Sequence, residues 1–324
     1  MASRARQSTA TSVNGGAHTA AMKPRIGIVG TGWVGTSVAF STLLAGHAGE
    51  LWLHDQRAEV AEGEALDLAD GAAFYPRCDV RAVALAQMRE ADIVVLAAGR
   101  NGRPDESRLD LLRDNARIAA ESGRALASFG GIVIVVTNPV DVLTRVVTEA
   151  SRLPAERVIG TGTLLDTARL RERLAVRLGL STQSVHVQVV GEHGDSSVML
   201  WSGARVGGVA LRDWPGWQTD KEATLAQSVR RAAYEVIRRK GATNHAIGLV
   251  TAELIGCIAR DESRLLPVSR VQDGACGIRG VALSLPALVG AAGASRVVEP
   301  AMDAAERASL AASAALLEQA FASL

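Results

Sequence analysis

The segment RIGIV, Arg25 to Val29, runs directly into GTGWVG, and this passage from apolar strand to glycine turn restricts the possible folds more than any other stretch of the chain. Gly30, Gly32 and Gly35 together permit a tight turn, close approach of the backbone to a pyrophosphate, and close packing of a helix opened by Trp33 and Val34. A bare GxGxxG is weak evidence. Here a second strand, ELWLHD, ends at Asp55, twenty residues after Gly35, where a carboxylate can accept hydrogen bonds from an adenosine ribose. The bland alternative is a glycine-rich turn followed by a surface aspartate. Strand, turn, helix and acid taken together favour a dinucleotide site. Asp55 would repel the extra phosphate of NADP, and Gln56 is not a cation that could hold it, so NAD is expected.

From Arg25 onward short apolar runs alternate with amphipathic segments of helix length, the signature of a parallel sheet with helical crossovers. Strands are expected at Arg25 to Val29, Glu50 to His54, Asp79 to Val83, Asp92 to Ala97, Ile132 to Val136 and Arg157 to Ile159. Intervening helices include Gly35 to Ala45, Asp105 to Ser128 and Val142 to Arg152. After Gly162 the texture changes: a helix from Leu165 to Leu178, a half-buried strand from Ser184 to Val190, then glycine-punctuated runs. A long helix over Gln218 to Lys240 ends in Arg238, Arg239 and Lys240 before Gly241, a helix C-terminus rather than a polyanion site. Helix continues at Thr251 to Ala259, strands at Arg264 to Val271 and Gly280 to Pro286, and an alanine-rich helix closes the chain at Met302 to Leu324. The expected fold class is α/β, a doubly wound parallel sheet (Rossmann) over residues 23–162, followed by a mixed α+β substrate domain over 163–324.

At 324 residues the chain exceeds the size of a single ordinary core. Lys and Arg total 35 against 34 Asp and Glu, a balance that gives no reason to expect nucleic acid or an anionic membrane as partner. Cys78, Cys257 and Cys276 lack CxxC or Cys/His spacing, which argues against a disulfide framework or a structural zinc and fits a reducing, cytoplasmic setting. No window approaches the ~18 apolar residues of a membrane span. Residues 1–22 contain Arg4 and Arg6, many Ser, Thr and Ala, and no acid. Transit peptides share that composition, but no amphipathic face can be drawn, so a disordered leader is the better reading.

Three further segments look like one active site. VVGEHGD places His193 just past a strand, between glycines. LLDTAR places Asp166 and Arg169 three apart on one helical turn, and Asn138 and Pro139 end the strand IVIVVT. Singly each has a bland reading: a loop histidine, a first-turn aspartate beside the helix dipole, a solvated arginine.

Taken together, GTGWVG, the strand-end Asp55, the AAG loop with ESRLDL, TNPVDVL, GTGTLLDTARLR, GEHGD and AAYEVIRRKGAT resemble the lactate/malate dehydrogenase family over essentially all of Lys23 to Leu324. The nearest branch is that of allosteric bacterial L-lactate dehydrogenases of glycolysis and fermentation. The resemblance implies that His193 is the general acid that protonates a 2-keto oxygen, with Asp166 orienting it. A carboxylate bonded to imidazole fixes the tautomer and stabilises the imidazolium. Arg169 would hold the substrate carboxylate through two parallel bonds, and Arg108 would close over the substrate and polarise its carbonyl. Asn138 would touch both substrate and nicotinamide ribose, Thr243 and Ile247 would wall the nicotinamide and the substrate tail, and Ala98 and Gly99 would border the cofactor. Arg171 and His186 match two cationic positions that bind fructose 1,6-bisphosphate across a subunit interface, which implies a homotetramer; the bland alternative is a solvated helix residue and a locally paired strand residue. No metal is implied.

Within the family, lactate dehydrogenases carry glutamine at the Gly102 position and malate dehydrogenases carry arginine. This chain has neither. Without a cation there a dicarboxylate would bury an unpaired charge, costing about 3 kcal/mol or more, unless Arg100 or Arg103 swung in. Glu106 favours the lactate side, since malate-specific relatives usually carry an apolar residue there. Pyruvate is therefore expected to come first, with a larger apolar or aromatic 2-keto acid in the space beside Gly102 as the alternative. Two readings from other classes remain: a non-catalytic NAD-binding protein, which a broken catalytic set would mark, and an NAD- and metal-dependent glycosidase, which would need a cysteine near His193.

Overall fold

The computed structural model describes residues 23–100, 102 and 107–324, the side chain of Arg108 excepted. The leader over 1–22, and Arg103 and Glu106 of the loop, lie outside the described residues. The first half alternates strand and helix: β1 (Arg25–Val29), α1 (Trp33–Ala45), β2 (Glu50–His54), α2 (Ala58–Asp70), β3 (Asp79–Ala82), β4 (Ile93–Leu96), α3 (Arg108–Ala125), β5 (Ile132–Val135), α4 (Val140–Ser151) and β6 (Val158–Gly160). The second half holds α5 (Leu164–Leu178), β7 (Val185–His186), β8 (Val189–Val190), β9 (Val198–Met199), β10 (Arg205–Val206), β11 (Val209–Ala210), α6 (Lys221–Lys240), α7 (His245–Ala259), β12 (Arg264–Asp273), β13 (Arg279–Gly290), β14 (Gly293–Val297) and α8 (Ala304–Ala322).

Among the described residues the main sheet has nine strands in the order β14-β13-β12-β6-β5-β4-β1-β2-β3. β3 to β6 pair in parallel through β2, β1, β4 and β5. β1, β4 and β5 are near-continuous apolar runs, as strands covered by helices on both faces must be, whereas the edge strand β3, DVRA, is not. β1 pairs with β2 on one side and β4 on the other, so the chain reverses its winding there. The crevice beyond the carboxyl ends of these two strands is where an open α/β sheet takes its ligands.

The expected boundary near Gly162 does not interrupt this sheet. β12 joins β6 antiparallel through Ser269 and Gly160, and β13 and β14 extend the edge. Gly162 sits at φ +47°, where a Cβ would strike Ser284 Oγ and the Ser269 amide. The backbones of the two halves therefore touch at this turn.

Most expected elements fall within a few residues of their observed limits, with three corrections. The single strand expected over Ser184 to Val190 is two strands in different sheets: β7 pairs with β10, β8 with β9. α2 and β14 were not assigned. α2 buries only Ala61 and Ala65, too narrow an apolar stripe to signal a helix. α3 begins at Arg108, after an N-cap at Ser107 whose hydroxyl accepts the Asp110 amide at 3.1 Å. α6 ends as expected at Lys240, and Glu235 pairs with both Arg238 and Arg239.

Candidate active site

The glycine turn after β1 is shaped by what cannot fit there. A Cβ on Gly30, at φ +95°, would collide with the backbone of Ala98, and a Cβ on Gly35 would meet the Gly30 carbonyl oxygen. Gly32 differs: no atom lies within 4 Å of where its Cβ would stand, so this face of the turn is open. No side chain caps α1 at Gly32, which leaves the helix's first amides directed at the opening, a ready anion site. Asp55 borders it. Its Oδ2 accepts the Thr31 amide at 3.0 Å and its Oδ1 the Arg57 amide at 3.1 Å. Burial pushes this carboxyl up, but those two amides and the Thr31 hydroxyl outweigh it and hold the pKa below its ordinary value. The donors and the acid fit a dinucleotide, phosphates at the helix end and ribose at Asp55.

The neighbouring strand ends are tied together. Thr137 Oγ1 donates to the Ala98 carbonyl at 2.8 Å. Asn115, buried on α3, accepts the Arg100 amide and donates to the carbonyls of Arg100 and Asn138. Asn138, exposed and followed by a cis peptide bond to Pro139, turns its Oδ1 to the Val140 amide. Val34, on α1, and Ile247, in the first turn of α7, pack against one apolar core, and Asn244 donates to Ser37 Oγ at 2.9 Å. Thr243, half-buried, immediately precedes that turn.

Across the crevice Asp166 lies buried at the start of α5. Its Oδ2 is 2.6 Å from His193 Nδ1 and its Oδ1 is 3.2 Å from Arg169 Nη1. The Asp166 carboxylate thus binds both Arg169, three residues on in the same helix, and His193, 27 residues away in sequence. Burial alone would lower the imidazole pKa, but the Asp166 carboxylate more than offsets it and the value is raised. The complementary shift holds Asp166 low: burial pushes it up, and the charges of His193 and Arg169 prevail. An imidazole gripped at Nδ1 by a carboxylate presents Nε2 to the crevice and can carry a proton there.

The loop bearing His193 is anchored from several elements. Asp141, on the first turn of α4, accepts the His193 amide at 2.7 Å. Ser313 of α8 accepts the Glu192 amide at 2.9 Å, and Glu192 in turn accepts the Ser196 amide at 3.1 Å. Arg230 of α6 donates to the Ser197 carbonyl at 2.6 Å, and one turn on Tyr234 donates to Asp195 at 3.2 Å. Asn115, Asp141 and Ser313 were missed in the sequence. Asp141 reads there as an ordinary first-turn acid, and Ser313 is one small residue in an alanine-rich helix.

Arg108 opens α3 at the edge of the crevice, and its side chain is not among those described. Gly102 is exposed, and among the described residues Leu111 Cδ2 would lie 3.2 Å from a Cβ there. Arg100 is engaged by Asp114 at 2.6 Å. Arg171, half-buried on α5, donates from Nε to the Val187 carbonyl at 3.1 Å. His186 is exposed beside it on β7 and stands opposite Arg205 of β10. Among the described residues no His, Cys, Asp and Glu cluster is arranged to hold a metal ion, and no helix is long and apolar enough to cross a membrane.

Comparison with known proteins gives consistent matches along the chain. The model of the lactate/malate dehydrogenase NAD binding domain matches residues 24–160, and that of the lactate/malate dehydrogenase alpha/beta C-terminal domain matches residues 163–323. An L-lactate dehydrogenase of Salinibacter ruber is 43% identical over 306 residues, which cover 92% of this chain and 97% of the relative. L-lactate dehydrogenase 2 of Enterococcus faecalis is 40% identical, with 93% and 97% covered. The crystal structure of the minor L-lactate dehydrogenase from Enterococcus mundtii in its ligands-bound form superimposes with a TM-score of 0.90 at 37% identity, covering 93% of this chain and 98% of that one.

Proposed function

Because the chain belongs to the lactate/malate dehydrogenase family, and so is an NAD-dependent oxidoreductase of 2-hydroxy acids, we propose that its own reaction is the reversible interconversion of pyruvate and L-lactate. The observation that carries the chemistry is the Asp166 carboxylate shared between His193 and Arg169. The nicotinamide, when bound, supplies the hydride to the keto carbon. His193 gives its Nε2 proton to the keto oxygen, and its Nδ1 proton stays on the bond to Asp166, so charge develops against a fixed carboxylate. Arg169 holds the substrate carboxylate through its fork of donors, and Arg108, six residues after Gly102, adds positive charge where the oxyanion grows. Asn138 and Thr243 border the substrate, while Ala98, Gly99 and Ile247 border the cofactor. In the direction of lactate oxidation the neutral imidazole takes the proton back.

Substrate choice rests on the loop. Gly102 offers no cation for a second carboxylate, and Arg100 is committed to Asp114, so oxaloacetate is disfavoured. The absence of a side chain at Gly102 supports a second reading, a 2-hydroxy-acid dehydrogenase for longer apolar tails. An NADH oxidation assay over pyruvate, 2-oxobutyrate, 2-oxoisocaproate, phenylpyruvate and oxaloacetate separates them. Pyruvate is expected to give the highest kcat/KM; phenylpyruvate or 2-oxoisocaproate in first place would establish the second reading, and oxaloacetate in first place would refute both.

The same proposal includes a homotetramer working in the cytoplasm, where the free thiols of Cys78, Cys257 and Cys276 suit a reducing medium. It also includes activation by fructose 1,6-bisphosphate at Arg171 and His186, supported by the juxtaposition of Arg171, His186 and Arg205 on neighbouring backbone. Pyruvate saturation with and without the bisphosphate tests it: an unchanged half-saturation and unchanged oligomer size would remove the effector from the account.

A further inference from the structure

We propose that Asp141 is a positioning residue for this reaction, holding the main chain of His193 while Asp166 holds its ring. The proposal rests on the reading of His193 as the proton donor. Asp141 is buried, 2% exposed, and its Oδ2 accepts the His193 amide at 2.7 Å. Two separate helices thus grip one residue: α4 at the backbone and α5 at Nδ1. An imidazole fixed at Nδ1 alone could still pivot about its Cα. Fixing the amide removes that freedom and sets where Nε2 stands over a bound keto acid.

A structural carboxylate would be expected to have both oxygens satisfied, because an unpaired buried acceptor is destabilising. Asp141 Oδ1 makes no hydrogen bond of ordinary geometry among the described residues; the buried Ser269 Oγ of β12, which also makes none, is near enough to pull on this carboxyl. An asparagine would keep an acceptor for the His193 amide without a buried charge if packing were the only demand. Burial pushes the Asp141 carboxyl up to about 6, against the pull of the nearby Ser269 hydroxyl and of the His193 amide and charge, while Glu192 adds to the upward shift. Among the described residues, the leading charges acting on His193 are Asp166 and Arg169 from α5 and Asp141 from α4. Asp141 is therefore a second carboxylate beside His193, bonded to its amide rather than to its ring, and its charge favours the protonated imidazole.

The test compares Asp141→Ala, Asp141→Asn and the control His193→Asn in the full-length enzyme, reading kcat for pyruvate reduction, NADH affinity and the pH profile. Asp141→Ala is expected to lose about 100-fold in kcat, the scale of a misplaced catalytic group, with NADH affinity unchanged. Asp141→Asn keeps an acceptor for the His193 amide, so most of kcat should return. Its profile should nevertheless move to lower pH, because a negative charge beside the imidazole is gone. Wild-type kcat and an unmoved profile in these variants, even with a lowered Tm, would overturn the proposal and leave Asp141 a packing residue. Should the alanine variant fail to fold, the profile of Asp141→Asn decides alone. Retained activity in His193→Asn would instead overturn the proton-donor reading itself, an outcome distinct from normal behaviour of the Asp141 variants.

Discussion

Asp166 bonds two cations with its two oxygens, and the directions of the resulting pKa shifts fix a pH dependence. The His193 pKa is raised and that of Asp166 lowered, so the proton resides on the imidazole over a wider range than for a free histidine. With His193 as the proposed proton donor, keto-acid reduction needs that proton. Its kcat/KM should be flat at low pH and fall as pH rises through the raised His193 value, while hydroxy-acid oxidation rises over the same window. The stability from the raised His193 is fully present below the unfolded histidine's ordinary pKa and is lost as pH rises through the folded one, whereas that from the lowered Asp166 is present above the ordinary carboxyl value and is lost as pH falls through the folded one. Asp166→Asn removes the carboxylate that outweighs burial, so the reduction limb should move to lower pH, with kcat reduced on the order of 100-fold or more. A pH-rate profile of the variant unmoved from wild type would show that Asp166 does not set the imidazole's charge. His193, Asp166 and Arg169 were legible in the sequence because they sit in long, restricted motifs. Asp141 was not. Nothing local separates an aspartate that caps a helix dipole from one whose carboxylate reaches a backbone amide 52 residues away.

At the scale of elements, the β1 turn and α1 make the clearest case, because the same substitution at two glycines should have opposite consequences. At Gly35 a Cβ would lie 1.8 Å from the Gly30 carbonyl oxygen, a backbone atom that cannot rotate away. Gly35→Ala should therefore lower stability by about 1–3 kcal/mol, the range for overpacking a close contact. At Gly32 nothing stands within 4 Å, so Gly32→Ala should melt near the wild type yet bind NADH more weakly, its methyl projecting into the space the pyrophosphate needs. Thermal melts paired with NADH fluorescence titrations check both. Equal losses of affinity and stability at the two positions would mean that the open face at Gly32 is not where the phosphates lie. These glycines could be read from their spacing after a strand, because the physics that selects them is local. The division of Ser184 to Val190 could not. Val185, Val187 and Val189 keep the strand alternation through the break, and the change of sheet depends on β10 and β9 arriving from later in the chain. The edge strand β14 was missed for a related reason: GASRV has little apolar content of its own and is a strand because β13 offers it a free edge.

At the scale of the molecule, the two halves expected from the sequence share one sheet, one turn and several hydrogen bonds. The Asp141 carboxylate accepts the His193 amide at 2.7 Å, and the Ser37 hydroxyl accepts from Asn244 at 2.9 Å. The start of α7 lies so close to α1 that a Cβ on Gly248 would meet the Ser37 carbonyl. Denaturant unfolding followed by tryptophan fluorescence and by far-UV circular dichroism should give coincident transitions; two resolved steps would show that the halves are separable. What the single chain leaves uncovered is equally specific. Phe40 and Leu44, one turn apart on α1, are 55% and 53% exposed, Leu249 on α7 is 65% exposed, and Leu66 on α2 is 69% exposed. Isolated apolar residues on a surface need no explanation, but three of these stand on α1 and α7, two helices packed against each other, with α1 opening at the dinucleotide turn. A self-complementary apolar face is the usual basis of a two-fold homo-oligomer. Sedimentation velocity should therefore find a species larger than one chain, and the double variant Phe40→Glu, Leu249→Glu should sediment as a monomer with its secondary structure intact. A wild-type monomer at micromolar concentration would sink this assembly, and with it any effector site shared between subunits, while leaving the chemistry at His193 untouched.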